Sequence, residues 1–188
     1  MSRSGSSQGS RYLVLEMALI AFAVVLGFAV TNWDMGRRDR SRARVAVDRI
    51  RMELRRNAAG LASAAPYYAE MSARLDSILA VGGDTTANRI SIPGWRGLSP
   101  PAIRTASFQV AMETGALEHI DFTVVDQIAL AYDVLGDFSD SIDHSLATLI
   151  AGELTRLSQW QVVFSLLAEL SALARDQVQG VLQEVPGG

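Results

Sequence analysis

The chain has 188 residues, 49% of them apolar and 20% charged, with a formal net charge of -3 and no cysteine. The missing cysteines exclude disulfides, thiolate catalysis and Cys-based metal or iron-sulfur sites. The charge is unevenly placed: residues 1–57 hold eleven Arg against five acids (net +6) and residues 58–188 hold six Arg against fifteen acids (net -9), which together give -3. All seventeen basic residues are Arg.

Residues 1–11 read as a disordered N-terminal tail. From Tyr12 to Trp33 the chain is one apolar segment, YLVLEMALIAFAVVLGFAVTNW. Its twenty-one helical steps reach about 31 Å, close to the ~30 Å thickness of a bilayer's hydrocarbon core. Tyr12 and Trp33 then fall at the two interfaces, where an aromatic body with a polar tip anchors depth. A cleavable signal peptide competes with this reading, because Arg3 and Arg11 precede the run and Ala21-Phe22-Ala23 imitates a cleavage site. The run continues past Ala23 to Val30 with no polar region, longer than the usual ~7–15 residues, which favours a retained span.

Two arginines precede the span, and Arg37, Arg38, Arg40, Arg42, Arg44, Arg49 and Arg51 follow it closely. Basic loops stay cytoplasmic, so the N-terminus is expected outside and the long C-terminal part inside. Arg37, Arg38, Arg40, Arg42 and Arg44 are candidate contacts for anionic lipid headgroups. A solvated topogenic face is the plainer reading of the same run, and the acidic remainder argues against nucleic-acid binding.

Residues 34–81 read as a long juxtamembrane helix. Val47, Ile50, Leu54, Asn57, Leu61, Ala64, Tyr68, Met71, Leu75 and Ile78 recur with 3,4 spacing on one seam. A parallel partner chain or an antiparallel helix of the same chain would cover it. Asn57 either pairs with itself across a dimer or is a solvated gap in the seam. Pro66 should kink the helix or let it restart after a Ser63 cap. Residues 82–98 form a Gly/Pro loop with one short extended piece at 89–92.

Residues 99–183 make the helical remainder. Ser99-Pro100-Pro101 has the chemistry of a helix start and Gly115 that of its stop. A second short helix is predicted from an Asp121 cap to Leu135, closed by Gly136. A longer helix then opens at Ser139 or Asp140, with Leu146, Leu149, Leu157, Trp160, Phe164, Leu167, Ala174, Val178 and Val181 on one stripe, before a tail at 184–188. The whole is an all-α chain. A transmembrane helix continues into the long juxtamembrane helix, which packs with two short helices and a long C-terminal helix as an antiparallel bundle.

The order Tyr12-x3-Glu16, Gly27-x4-Asn32-Trp33, an Arg-rich helix and Leu75-Asp76-Ser77-Ile78-Leu79 resembles an uncharacterised family of small bacterial single-span membrane proteins, a domain of unknown function. The stretch Phe108 to Leu117, ending Thr114-Gly115-Ala116-Leu117, with Ile120 and Tyr132 after it, is similar to that family's second block. The resemblance covers most of residues 12–135. It implies a single-pass protein of the bacterial inner membrane and brings no activity with it.

Glu16 is the sharpest candidate, since an ionisable group in an apolar span marks a proton or ion relay or a helix partner by default. It lies about 6 Å from Tyr12, so it can also snorkel to the interface. Glu16, Ile20, Ala23, Gly27 and Thr31 share one face, and Ala23-x3-Gly27-x3-Thr31 is a small-residue stripe that lets backbones approach. Asp137, Asp140, Asp143 and His144 resemble metal ligands, but acids suit a helix's first turn on dipole grounds, and His119 is isolated. No cofactor, metal or catalytic constellation is expected. The function these features favour is a non-enzymatic, oligomerising scaffold or sensor at the membrane, partnered by lipid and by its own copies or another membrane protein. The alternative is an accessory subunit of a transport or ion-conducting complex that uses Glu16. A third reading, a signalling relay, lacks an output domain.

Overall fold

The computed structural model describes residues 7–86 and 91–184, with side chains from residue 15 onward. The regular structure of the described residues is helical, apart from an isolated bridge between Thr86 and Arg156. Four helices pack together: α1 (Ser7–Gly82), α2 (Ala106–Glu113), α3 (Phe122–Ile150) and α4 (Leu157–Glu184), with a 3-10 turn at Ala116–His119 before α3.

α1 is one helix of 76 residues, about 114 Å long at ~1.5 Å per residue. It begins at Ser7, inside the segment expected as a tail, and runs unbroken through Pro66. A proline inside a helix costs about 3 kcal/mol. Leu61, Ala64, Tyr67, Tyr68, Met71 and Leu75 are buried around it, and each large side chain among them contributes roughly 1.5–3 kcal/mol. Packing therefore outweighs the break. Pro66 sits on the exposed face. The Ser63 hydroxyl donates back to the Gly60 carbonyl (3.0 Å) and caps nothing.

The predicted seam is the buried one. Ile50, Leu54, Asn57, Leu61, Ala64, Tyr68, Met71 and Leu75 are buried, with Val47 and Ile78 packed at its two ends. What covers it is this same chain. Phe164 of α4 packs on Tyr67 and Tyr68 at 5.8 and 6.2 Å between ring centroids. Ser158, at the start of α4, donates its backbone N–H to Asp84 just past the end of α1 (3.0 Å). The loop joins in through Trp95, whose ring meets Trp160 edge-on at 4.9 Å. Residues 87–90, which include the first half of the expected extended piece at 89–92, lie outside the described residues.

Three predicted boundaries are corrected: those at Ser99-Pro100-Pro101 and at Gly136, and the helix start placed at Ser139 or Asp140, which both lie inside α3. Ser99-Pro100-Pro101 does not open a helix: α2 starts at Ala106. A residue before proline is pushed out of the helical region, and Ser99 has φ 41°. The backbone of Arg104 is then held by Asn57 of α1, which donates to its carbonyl (2.8 Å) and accepts from its N–H (3.0 Å). This bidentate clamp also corrects both readings of Asn57, which is a buried intrachain ligand. Gly60 allows the approach, since a Cβ there would lie 3.3 Å from Pro101.

Gly136 does not close a helix either. A mid-helix glycine costs about 1 kcal/mol, while Ile128, Ala131, Tyr132, Leu135, Phe138 and Ile142 form one buried stripe across it, so α3 continues to Ile150. The break falls instead at Ala151–Thr155, where Gly152 has φ 74°. The chain therefore has one short helix and two long ones where two short and one long were expected. Leu146 and Leu149 belong to α3, and the remaining predicted stripe from Leu157 to Val181 is buried on α4. Three punctuation marks fall where expected. Gly83 (φ 70°) follows the end of α1, Gly115 (φ 65°) follows α2, and Asp121 caps α3 by accepting from the Thr123 N–H (2.8 Å).

Candidate functional site

α1 carries two unlike surfaces. From Leu15 to Trp33 every side chain is exposed, among them Leu19 (64%), Phe22 (66%), Phe28 (68%) and Trp33 (68%). Apolar residues point in all directions there, as in a helix whose surroundings are themselves apolar. Two described helices, α1 and α4, are long and apolar enough to cross a membrane. They differ in what they do with that character: α4 buries its apolar stripe against the rest of the chain, whereas the segment of α1 covers nothing.

Glu16, Ala23, Gly27 and Thr31 all lie exposed on this segment. Glu16 shares a shallow concavity with Leu15, Leu19, Ile20 and Ala23. The Thr31 hydroxyl donates to the Gly27 carbonyl one turn back (2.8 Å), which satisfies it within its own helix and removes the cost of an unpaired polar group in an apolar surround. A Cβ at Gly27 would meet nothing within 4 Å. The Trp33 side chain is exposed where the span ends; that of Tyr12 lies outside the described residues.

Below the span the arginines divide into two sets. Arg38 pairs with Asp34 (2.7 Å) and Arg42 with Asp39 (3.3 Å), both on the exposed surface. Arg37, Arg40 and Arg44 are exposed, lie on a common face by their 3,4 spacing, and take part in no ion pair among the described residues. His119 of the 3-10 turn reaches the same Asp39 (Nε2 to Oδ2, 3.5 Å). Beside this basic foot lies a groove of about 420 Å³ between α1 and α2, lined by Arg42, Val45, Arg49, Val110 and neighbours.

Sequence reasoning missed the polar centre of the packed part. Glu53, one turn before Asn57, is 5% exposed. Its carboxylate accepts from the Tyr132 hydroxyl (2.6 Å) and from the Ser107 N–H in the first turn of α2 (2.9 Å). It therefore does for α2 what a capping side chain would do, at the end where the helix dipole favours an anion. Burial, and then the Glu53 hydrogen bond and charge, push the Tyr132 pKa up. The signal was faint: Glu53 stands beside Leu54 within the Arg-rich run and reads as one more surface charge.

Asp84 is the other missed ligand. Its two oxygens accept from the Ser158 N–H (3.0 Å), the Ser158 hydroxyl (2.9 Å) and the Arg156 guanidinium (2.9 Å), tying the start of α4 to the end of α1. The Ser158 N–H first, then Arg156, hold its carboxyl below the usual value.

Asp137, Asp140, Asp143 and His144 are exposed on α3, and among the described residues no group of three His, Asp or Glu is placed to hold a metal. Comparison with protein-family models, curated proteins and solved structures found no match.

Proposed function

We propose that the chain is a single-span protein of a bacterial inner membrane, anchored by residues 12–33, that works by interaction and not by catalysis. On this reading it oligomerises, or binds another membrane protein, through the span and acts as a scaffold or sensor. One observation carries the reading. Within a single unbroken helix, the stretch from Leu15 to Trp33 leaves its apolar surface wholly uncovered, while the stretch from Ile50 to Leu75 is covered by the chain itself. An exposed apolar cylinder of span length demands lipid or another apolar helix.

The basic foot orients the chain, with the N-terminus outside and the helical remainder inside. Arg37, Arg40 and Arg44 face anionic headgroups, and Arg38 and Arg42 add to them once their exposed ion pairs exchange for phosphate. The helices beyond the foot form an antiparallel bundle, supported by Ser158 meeting Asp84, Phe164 meeting Tyr67 and Gln127 of α3 meeting Glu184 of α4. A reporter fused after Gly188 should behave as cytoplasmic; strong periplasmic activity would overturn the orientation.

Association through the span is tested by crosslinking in native membranes. Gly27→Leu keeps the span apolar but fills the face shared by Glu16, Ala23 and Thr31, so it should abolish crosslinked dimers or partner recovery, while Phe28→Leu should not. Unchanged crosslinking in Gly27→Leu would sink the packed-span reading. The alternative, an accessory subunit of a transport or ion-conducting complex, draws on the concavity around Glu16. It expects Glu16→Gln to abolish a transport phenotype while leaving crosslinking intact.

A further inference from the structure

The chain returns to the foot of α1 before α3 begins. Ser107, at the start of α2, bonds Glu53; Thr114 and Ala116 line the groove with Ser41 and Arg42; His119 meets Asp39. Each step moves the contact toward the span. Asp39 stands six residues beyond Trp33, about 9 Å along the helix. A headgroup layer is roughly 5–8 Å thick on each side of the hydrocarbon, so the turn at Ala116–His119 reaches that layer's outer edge. Three residues past His119 stands Phe122, 81% exposed. Of the four phenylalanines beyond the span, the other three are packed: Phe108 stacks on Tyr132 at 4.5 Å, and Phe138 and Phe164 are fully buried.

We propose that Phe122 is a second membrane contact, its ring entering the phospholipid headgroup layer, so that the helical part sits on the bilayer instead of standing off on a stalk. The proposal rests on residues 12–33 spanning the membrane. A phenylalanine ring lacks the polar tip that anchors Trp33, and gains there by taking its apolar surface out of water at the boundary of headgroups and acyl chains. Charge plays the smaller part. The acids that flank Phe122 are Glu118 and Asp121, so an anionic leaflet does not attract the turn itself; the arginines that face headgroups, Arg37, Arg40 and Arg44, belong to α1. The contact should therefore hold as salt is raised, where a purely electrostatic one would weaken.

The chain has no cysteine, so single labels are unambiguous. Full-length protein carrying Thr123→Cys, labelled with an environment-sensitive fluorophore, would be reconstituted into phosphatidylcholine–phosphatidylglycerol vesicles. Nitroxide lipids labelled at the headgroup should quench this probe several-fold more than a probe at Val81→Cys, which is 93% exposed at the far end of α1. Adding Phe122→Ser should remove most of that difference. A label at 123 quenched no more than one at 81, or quenching unchanged by Phe122→Ser, would overturn the contact. A probe at Phe28→Cys separates this from failure of the span itself. Quenching there by deep acyl-chain nitroxides, with no quenching at 123 by headgroup nitroxides, overturns the Phe122 contact alone; no quenching at 28 overturns both.

Discussion

The span and the seam are consecutive stretches of one helix with opposite surroundings. Between Leu15 and Trp33 apolar side chains cover every face and none is buried; between Ile50 and Leu75 the large ones other than Met52 keep to one stripe, and that stripe is buried. The difference lies in angular distribution more than in apolar content. A stripe can be covered by one or two neighbouring helices of the same chain, but a whole cylinder cannot be without a shell of them. α4 stands between the two: it is apolar enough to cross a membrane, and it buries Leu157, Trp160, Phe164, Leu167, Ala174, Val178 and Val181 on the core while Val162, Leu166 and Leu173 stay exposed.

The largest expected effect breaks this comparison from both ends. Leu54 is 1% exposed, so Leu54→Asp should destabilise the packed part by about 3–5 kcal/mol through a buried, unpaired charge, and the neighbouring exposed change Arg55→Asp should do little. Val24→Asp should instead leave unfolding of the packed part unchanged and impair retention in membranes. Denaturant unfolding followed by circular dichroism, paired with membrane fractionation, reads both. Equal unfolding effects of Leu54→Asp and Arg55→Asp would mean that the seam is not a core.

A smaller effect tests what fixes the seam's polar centre. Asn57→Ala leaves both backbone groups of Arg104 unpaired against α1 and should cost about 2–3 kcal/mol; Tyr132→Phe removes a hydrogen bond to a buried carboxylate and should cost about 1.5–3 kcal/mol. Tyr132 also sets an alkaline limit. Its pKa is raised above the ordinary 10.0 by burial and by Glu53, and burial pushes Tyr68, whose hydroxyl has no partner among the described residues, up to about 12. Groups raised on folding contribute stability that is complete below pH 10 and lost as pH climbs through the folded values. Stability should therefore fall above pH 10, and less steeply in Tyr132→Phe.

The smallest effect lies at the exposed junction of α1 and α4. The Asp84 carboxyl is held below its ordinary 3.8, so its contribution is present above pH 3.8 and lost as pH falls below it. Asp84→Asn should flatten that acid limb and leave the alkaline one alone; an unchanged acid limb would remove Asp84 from the junction.

Much of this comparison was legible in the residues, and the failures share a cause. Seam positions from Val47 to Ile78 follow from 3,4 spacing, and Gly83, Gly115 and Asp121 from local backbone chemistry. The restart after Ser63, the helix start at Ser99-Pro100-Pro101 and the stop at Gly136 were read by the same local rules and came out wrong, because burial around them outweighs a local cost of ~1–3 kcal/mol or because a distant side chain takes the backbone, as Asn57 takes Arg104. At the candidate site, the exposure of Glu16, Ala23, Gly27 and Thr31 follows from the span alone. Glu53, Asp84 and Phe122 matter only through partners or positions set by the fold, and nothing local to them announces it.

The central claim is that the uncovered surface of α1 is a membrane surface. Single cysteines at Ile20, Val24, Phe28, Val81 and Ile150, introduced into the cysteine-free chain and probed in native membranes with a membrane-impermeant maleimide after opening both faces to the reagent, test it most directly. The account expects Val81→Cys and Ile150→Cys to react and the three span positions to stay unlabelled, although all five are exposed. Labelling of positions 20, 24 and 28 at the rate of position 81 would contradict it.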